Sequence, residues 1–484
     1  MDNIKKLYEL LENSANLYPD NTALIYLENT CTYAQLNFFS NTIKSQLTNI
    51  HIAEGSRVAI CCPKSIHYVS SIFGILKSGA AYLPIDYASP IDRNKYIVEN
   101  GEAEAIILSK DLYPEFSGNF SFVCDIAEDL ILIKNTKSSL RKSPPDLAYV
   151  LYTSGSTGNP KGVMYSNAGA LEFINWSSKI FSPSFSDCFS SHAPFHFDLS
   201  IFDLYVSIKH GATLVLIKEE VAKQPLLLSE LISKQKISIW YSTPSVLTML
   251  SEYGKMEKYN FDNLRLILFA GEIFPLSKFS GLKKKLPQVT YYNLYGPTET
   301  NVCTYYQLPE RIENAIPIGK VCEHYKSIVQ EAELLIAGVG VMLGYWDEKS
   351  ENNHWKLIND VKYYATGDLV DINEEGDYIF KGRRDRMVKR NGYRIELDEI
   401  ETGLNKHPYI FVSAVAGENN TDEQMVITAF VVLREEQEKS VIKMKEFCMN
   451  NLPSYMIPND FVFLSELPYT SSNKVDYQKL KQLI

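Results

Sequence analysis

One short segment of the chain combines hydroxyl, glycine and lysine residues in a pattern suited to binding an anion. Residues 151–162 read Leu-Tyr-Thr-Ser-Gly-Ser-Thr-Gly-Asn-Pro-Lys-Gly. Glycines let backbone N–H groups turn toward an anion, hydroxyls add donors, and lysine adds positive charge. The segment is a candidate polyphosphate loop, although a flexible surface loop rich in small residues explains it equally well in isolation. Its candidate ligands are Thr153, Ser154, Gly155, Ser156, Thr157, Gly158 and Lys161.

The residues on both sides of this loop predict strands, which separates it from the Walker A type of phosphate loop. Residues 147–152 form an apolar run typical of a buried strand, and residues 162–165 predict another. A Walker A loop instead needs Gly-Lys-Ser/Thr running into a helix.

A second segment, residues 291–300, places an aromatic ring, a tight turn, a hydroxyl and a carboxylate in sequence. Tyr295 can stack on a purine while Asn293 offers an amide to the purine edge. Thr298 and Glu299 suit Mg²⁺, which takes one or two protein carboxylates alongside phosphate oxygens. By itself, a Gly-Pro turn beside an acid is more often only a turn.

Two more polar side chains lie where they can reach a nucleotide. Asp368 follows a glycine and can accept hydrogen bonds from both ribose hydroxyls, and Lys474 lies in a polar loop near the C-terminus. A turn aspartate and a solvated lysine are the plainer interpretations of these two residues.

Apolar strand patterns alternate with amphipathic helical patterns, which predicts an α/β protein with mainly parallel sheets. At 484 residues the chain is too long for one core, so two to four domains or subdomains are expected. A basic run at 381–396 precedes about a hundred residues that can form a small α/β domain. We place a hinge at Asp385, with domains at 1–384 and 385–484.

Composition excludes several functional classes. The net charge of −10 and the lack of a long basic run argue against a nucleic-acid partner. The N-terminus lacks the features of a signal peptide, and no stretch is long and apolar enough to span a bilayer. The eight cysteines show no metal-like spacing, which favours a reducing, cytoplasmic location.

Taken in order, these motifs and several others resemble the adenylate-forming superfamily, specifically free-standing amino-acid adenylation domains of nonribosomal peptide synthetase type. The resemblance covers nearly the whole chain and implies a large N-terminal domain of α/β subdomains plus a distorted barrel, with a small mobile C-terminal α/β domain. The further motifs are residues 76–86, 197–200, 338–345, 366–369, 382–389 and 473–476.

The resemblance also implies a reaction in which a carboxylate attacks the α-phosphorus of ATP, with Mg²⁺ as cofactor. It assigns catalysis to Lys474, Glu299 and Thr153, with Glu299 holding Mg²⁺. In a second step the small domain pivots about Asp385 and opens a tunnel for a thiol. The implied ATP or AMP contacts are Thr153, Ser154, Gly155, Ser156, Thr157, Gly158, Lys161, Gly271, Glu272, Asn293, Tyr295, Gly296, Thr298, Asp368, Phe380, Arg383 and Lys474.

Asp198 is the most informative substrate residue, because this position binds the α-ammonium group in the amino-acid branch. An aspartate in an apolar setting is costly without a cationic partner; the plainer alternative is a helix cap. The other matched positions carry no charge apart from Lys474, and several are large, which favours a small apolar amino acid. They are Leu199, Phe202, Tyr241, Leu268, Ala270, Leu294, Val302, Cys303 and Lys474.

This set resembles that of L-proline adenylating enzymes, which load a separate phosphopantetheinylated carrier protein. No phosphopantetheine attachment motif occurs in the chain, and it ends eight residues after Asp476, so we expect the carrier in trans. The alternatives are an alanine-activating carrier-protein ligase, an acyl- or aryl-CoA synthetase, and a non-catalytic nucleotide-binding domain. Ala332, Ala365 and Asn167 depart from the usual residues of the family.

Overall fold

The computed structural model describes residues 4–137, 141–155, 159–312, 315–346, 354–420, 424–434, 437–469 and 475–484. The chain divides into two compact units. The larger unit comprises residues 1–87, 98–152 and 162–382, and the smaller comprises 88–97, 153–161 and 383–484. The hinge expected at Asp385 stays a prediction.

Helices and strands alternate along most of the larger unit. The helices of the chain are α1 (Leu7–Leu17), α2 (Tyr33–Asn49), α3 (Ile66–Lys77), α4 (Ile91–Asn100), α5 (Tyr113–Phe116), α6 (Asn167–Phe181), α7 (Ser207–Lys209), α8 (Glu219–Ala222), α9 (Pro225–Lys234), α10 (Pro244–Tyr253), α11 (Leu276–Lys285), α12 (Leu397–Leu404), α13 (Val441–Asn451) and α14 (Tyr477–Lys481). A π-helical turn, Phe202–Val206, leads directly into α7.

The strands are mostly short and buried. They are β1 (Thr22–Tyr26), β2 (Asn29–Thr32), β3 (Arg57–Cys61), β4 (Ala81–Pro84), β5 (Ala105–Ser109), β6 (Phe120–Ala127), β7 (Leu130–Asn135), β8 (Leu147–Thr153), β9 (Lys161–Ser166), β10 (Cys188–Ser191), β11 (Thr213–Leu216), β12 (Ile239–Ser242), β13 (Leu266–Phe269), β14 (Thr290–Tyr295), β15 (Thr304–Gln307), β16 (Lys320–Val321), β17 (Tyr325–Gln330), β18 (Glu333–Gly338), β19 (Gly344–Tyr345), β20 (Trp355–Ile358), β21 (Val361–Ile372), β22 (Tyr378–Arg383), β23 (Val388–Arg390), β24 (Tyr393–Ile395), β25 (Ile410–Asn419), β26 (Met425–Leu433) and β27 (Asp460–Leu464).

Three sheets organise the larger unit within the described residues. One has eight strands in the order β19-β9-β8-β4-β3-β5-β7-β6, and another has nine in the order β16-β15-β14-β13-β12-β10-β11-β1-β2. In the nine-stranded sheet β1, β10, β11, β12, β13 and β14 pair in parallel. The third sheet joins β17, β18, β20, β21 and β22. The predicted α/β class is confirmed.

Local sequence explains why these elements form where they do. Every residue of β3 is buried, as expected for a central parallel strand covered on both faces. After β3, the hydroxyl of Ser65 accepts a hydrogen bond from the N–H of Tyr68 at 3.1 Å and caps α3. The loop after β8 runs into β9 rather than into a helix, so the predicted difference from a Walker A loop is correct.

The smaller unit contains a two-stranded hairpin and a three-stranded sheet. The hairpin β23–β24 turns at Asn391 and Gly392, which both have positive φ (52° and 79°). The basic run at 381–396 is therefore partly paired as strands. The three-stranded sheet β25-β26-β27 packs with α12 and α13 on one core that includes Ile400 and Met444. In the part of the chain that the structure describes, no helix is long and apolar enough to cross a membrane.

Candidate active site

The expected substrate residues lie on one face of the nine-stranded sheet. Tyr241 of β12 is paired with Leu268 of β13, so the two side chains stand side by side. Side chains alternate across a strand, and the intervening residues Trp240 and Ile267 belong to a different core on the opposite face. The core on the side of Tyr241 and Leu268 contains the other expected substrate residues of the larger unit, with Leu199 packed against it. Its members from that set are Phe202, Tyr241, Leu268, Ala270, Leu294, Val302 and Cys303.

Two buried aromatic rings restrict the volume of this region. The Phe202 ring meets the Tyr241 ring edge-on, with centroids 5.6 Å apart and an interplanar angle of 84°. Phe202 also contacts Phe181 edge-on at 5.6 Å and Phe189 at 5.7 Å. Because these rings are held from several sides, they cannot easily move away to admit a large substrate side chain.

Asp198 lies in the turn between β10 and the π-helical turn. Its backbone carbonyl accepts a hydrogen bond from the N–H of Ile201 at 3.1 Å, and its side chain is partly exposed. Burial raises the pKa of the Tyr241 hydroxyl well above its usual range, and the charge of Asp198 raises it further. The carboxylate of Asp198 therefore lies close enough to act electrostatically on Tyr241 of the apolar face.

The π-helical turn at Phe202–Val206 was not predicted from the sequence. π-turns are rare and occur frequently at functional sites. Here the turn places Phe202 on the substrate face and leaves Asp203 fully buried, with neither carboxyl oxygen hydrogen-bonded within the described residues. Burial raises the pKa of Asp203 well above its usual range, although the charge of Lys64 acts to lower it. The raised pKa favours a neutral carboxyl. The feature of the sequence that could have indicated this turn is an aspartate within an apolar helical run.

Glu299 is completely buried, and one of its carboxylate oxygens accepts a hydrogen bond from the hydroxyl of Tyr345 at 2.6 Å. Across the described residues, no three His, Cys, Asp or Glu side chains form a metal-binding cluster. A single carboxylate nevertheless fits Mg²⁺, because phosphate oxygens and waters complete its coordination. Sequence analysis gave Tyr345 no role, since 46 residues separate it from Glu299.

Asp368 is buried and hydrogen-bonded to a second predicted nucleotide residue. The hydroxyl of Tyr295 donates to its carboxylate, and the N–H of Asp368 donates to the Thr366 hydroxyl at 3.1 Å. Burial, followed by the charge of Asp368, raises the pKa of Tyr295 well above its usual range. Tyr295 is thus a protonated donor that orients the carboxylate, and its stacking on a purine stays a prediction.

The remaining predicted nucleotide residues of the larger unit lie partly in strands, as Asn293 in β14 and Phe380 in β22, and partly in turns. Asn293 donates its amide to the carbonyl of Pro317 at 2.7 Å, and Glu272 accepts from the N–H of Ser245 at 3.1 Å. At Gly296 a Cβ atom would lie 1.6 Å from the Asn301 carbonyl oxygen, so only glycine fits. Gly271 has a φ of 92°, Thr298 accepts from the Tyr165 hydroxyl through its carbonyl, and Phe380 packs against the main core.

The described part of the candidate phosphate loop makes contacts inside the smaller unit. The Ser154 hydroxyl donates to the Arg394 carbonyl at 2.8 Å and accepts from the N–H of Glu396 at 3.2 Å. The N–H of Gly155 donates to the Glu399 carboxylate at 3.3 Å, so a carboxylate of the protein already binds a backbone N–H of this loop. The buried hydroxyl of Thr153 has no hydrogen-bond partner among the described residues.

Some predicted residues lie outside the described residues, namely Ser156, Thr157, Gly158 and Lys474. Arg383, expected at the ribose, forms a two-point contact with Asp385, including Nε to Oδ1 at 2.6 Å. Burial is the largest single influence on Asp385 and opposes its ionisation, but the hydrogen bond and charge of Arg383, with the charge of Arg394 and the N–H of Met387, together outweigh it and lower the pKa of that carboxyl. The predicted hinge residue is therefore a carboxylate paired with its neighbouring arginine.

Comparison with known proteins now identifies the family. A model described as AMP-binding enzyme matches residues 11–346, and one described as AMP-binding enzyme C-terminal domain matches residues 399–474. The chain belongs to the AMP-binding enzymes. The resemblance to adenylate-forming enzymes drawn from the motifs is thereby confirmed.

Individual relatives within the family match along nearly their full length. The chain is 34% identical to an L-proline--[L-prolyl-carrier protein] ligase of Pseudomonas fluorescens, covering 98% of both chains. It is 33% identical to the ligase of the same name from Streptomyces coelicolor, covering 93% of this chain and 91% of that one. Among solved structures, the Vibrio cholerae adenylation domain AlmE, in complex with glycyl-adenosine-5'-phosphate, has the same fold, with a TM-score of 0.82, 21% identity, and coverage of 100% of this chain and 98% of that chain.

Proposed function

We propose that this AMP-binding enzyme activates L-proline with ATP as prolyl-AMP, releasing pyrophosphate, and then transfers the prolyl group to the phosphopantetheine thiol of a separate carrier protein. The observation that carries the proposal is Asp198 beside a compact, uncharged face of Phe202, Tyr241 and Leu268. Such a site favours a small apolar amino acid with a cationic nitrogen. The two full-length relatives, both ligases for L-proline, support the choice of proline.

The first half-reaction joins a carboxylate oxygen of proline to the α-phosphorus of ATP, while the bond to the pyrophosphate oxygen breaks. In this proposal Asp198 binds the ammonium group of the substrate and the apolar face receives its ring. Catalysis then consists mainly of positioning and of stabilising charge on phosphate oxygens.

The nucleotide contacts in this proposal come from the motifs identified in the sequence. Asp368, oriented by Tyr295, accepts hydrogen bonds from the ribose hydroxyls, and Arg383 donates hydrogen bonds to the ribose oxygens. The loop at 153–161 binds the β- and γ-phosphates through its hydroxyls, N–H groups and Lys161. Glu299, oriented by Tyr345, would hold Mg²⁺, and the ion would supply positive charge near the phosphate oxygens. Lys474 bridges the reacting carboxylate and the ribose–phosphate oxygens.

In the second half-reaction the carrier's thiol attacks the prolyl carbonyl and AMP leaves. We propose that the smaller unit pivots at Asp385 between the two steps and withdraws Lys474. The carrier protein acts in trans in this proposal, which the two relatives named as ligases for an L-prolyl-carrier protein support. We also propose a cytoplasmic location, which immunodetection in fractionated cells would test.

An ATP–pyrophosphate exchange panel of the twenty amino acids, with benzoate and a fatty acid added, tests the proposed activity. We expect exchange to be strongest with L-proline. Exchange with alanine but not with proline indicates the alanine-activating ligase instead. Activity only with acids that lack nitrogen indicates an acyl- or aryl-CoA synthetase, and either result contradicts the proposal.

A further inference from the structure

Lys64 is a lysine of the larger unit to which neither the motifs nor the proposed reaction gives a role. It lies between β3 and α3, in the connection that ends at the helix cap Ser65. Its amine donates hydrogen bonds to the carbonyl oxygens of Ser191 at 2.7 Å, His192 at 3.4 Å and Ala193 at 2.9 Å. A fourth contact, at 3.2 Å, reaches the hydroxyl of Ser191.

All these acceptors lie at the start of the segment that carries Asp198. We call residues 192–199 the substrate turn, because it runs from the end of β10 to Asp198 and Leu199. The amine of Lys64 also lies 5.2 Å from the centre of the Phe195 ring, a further residue of this turn. A lysine amine has three donors and no acceptor, so it can gather several carbonyl oxygens around one point.

The surroundings make this lysine costly to keep for packing alone. The Lys64 residue is partly exposed as a whole, but its amine is densely surrounded. This burial lowers the pKa of Lys64 to about 7, although the nearby carboxyl groups of Asp203 and Glu219 act to raise it. Among the described residues no carboxylate oxygen lies within 4 Å of the amine. Its hydrogen bonds go to three backbone carbonyl oxygens and one hydroxyl, so they hold the backbone of the turn in position.

Other contacts to this end of the substrate turn involve its rings: the Phe195 ring lies 4.8 Å from the Tyr68 ring, and the His192 ring lies 5.4 Å from the Trp240 ring, centre to centre. The His192 ring nitrogen Nε2 is buried and has no hydrogen-bond partner within the described residues. Burial, then the charge of Lys64, lowers the pKa of His192 to about 4, so the ring is neutral and does not anchor the turn by charge. The Ser200 hydroxyl closes the far end by donating to the Phe197 carbonyl at 2.6 Å.

We propose that Lys64 is a positioning residue for the amino-acid substrate: its amine fixes the start of the substrate turn and thereby places Asp198 over the apolar face formed by Phe202 and Tyr241. The inference rests on the proposed amino-acid activation. It does not require proline in particular, because Asp198 contacts the ammonium group that all α-amino acids share.

The test is steady-state kinetics of Lys64→Met in pyrophosphate exchange, with Lys77→Met as the matched control. Lys77 is also buried, but its amine contacts Asn37 and Asn41 on α2. We expect Lys64→Met to raise the KM for the amino acid about tenfold or more while kcat and the KM for ATP change by about threefold at most. Lys77→Met is expected to leave both KM values unchanged, whatever it does to stability.

If Lys64 had only a structural role, its substitution would change the KM for the amino acid and the KM for ATP together. Equal shifts in the two KM values therefore overturn the proposal. An unchanged amino-acid KM overturns it as well. Lys64→Arg keeps a charged multiple donor and is expected to recover most of the loss. If Lys64→Met does not fold, Lys64→Gln, which keeps two N–H donors, replaces it under the same criteria. Wild-type activity with another amino acid would overturn only the proline assignment, and the KM comparison would then use that amino acid.

Discussion

At the scale of single residues, the site consists of polar groups held by partners far away in sequence. Glu299 is oriented by Tyr345, and Asp368 by Tyr295, which lies 73 residues earlier. Each tyrosine fixes one carboxylate oxygen and leaves the carboxylate with further capacity to accept hydrogen bonds or bind a cation. Asp198 differs from both, since its partner in the proposed reaction is the substrate itself.

The role of Asp198 predicts a selective loss of activity in Asp198→Asn. Without its negative charge the substrate's ammonium group is left unpaired, so we expect kcat/KM for the amino acid to fall by about a hundredfold, with ATP binding little changed. Exchange kinetics and nucleotide titration measure the two effects.

Asp203→Asn, five residues later in the chain, is the matched control. The Asp203 carboxyl is buried with a raised pKa, so the substitution replaces one neutral polar group by another. We expect its amino-acid KM to stay near the wild-type value. Unchanged activation in Asp198→Asn would contradict the ammonium-binding role.

At the scale of elements, the departures from the family pattern have identifiable settings. Asn167 starts α6, where its side chain accepts from the N–H of Leu7 at 3.0 Å and donates to the Asp146 carbonyl at 3.1 Å. Ala365 is buried in β21, and its N–H donates to the His354 carbonyl at 2.7 Å. Ala332 lies in the two-residue turn that joins β17 to β18, where glycine is usual in the family.

That turn predicts a stabilising substitution, Ala332→Gly. Ala332 has a φ of 63°, a left-handed conformation that costs a residue with a Cβ atom about 1–2 kcal/mol. Part of this is offset because glycine loses more entropy on folding. We therefore expect a net gain of about 0.5 kcal/mol, seen in calorimetry as a rise of about 1 °C in the unfolding midpoint.

Ala337→Gly provides the comparison, because Ala337 is buried within β18 and pairs with Lys326. Glycine inside a strand removes packing and adds flexibility, so this midpoint is expected to fall. A lower midpoint in Ala332→Gly as well would show that the turn does not strain Ala332.

At the scale of the whole molecule, the proposed cycle uses the smaller unit in two ways. It brings Lys474 to the reacting carboxylate in the first step and removes it in the second. Lys474→Ala is therefore expected to abolish adenylation while leaving carrier loading from preformed prolyl-AMP largely intact. Radiolabelled proline transfer to the carrier measures the second step. Lys479→Ala, at an exposed lysine paired with Asp476, is the control. Equal loss of both steps in Lys474→Ala would contradict domain alternation.

Local sequence was sufficient for the α/β class and for the strands on both sides of the phosphate loop. These features depend on residues within a few positions of one another, and the physics of strands, turns and caps is local. The ordered motifs were also sufficient for the family, because each motif carries its own chemistry in a short stretch.

Only the tertiary structure decided which side chains meet. The pairing of Tyr241 with Leu268 follows from strand register, and the contact of Lys64 with Ser191 joins residues 127 positions apart. The π-helical turn that directs Phe202 and Asp203 into different surroundings likewise depends on how its helix packs. Such arrangements depend on the packing of whole elements against one another, and no local pattern of residue types contains that information.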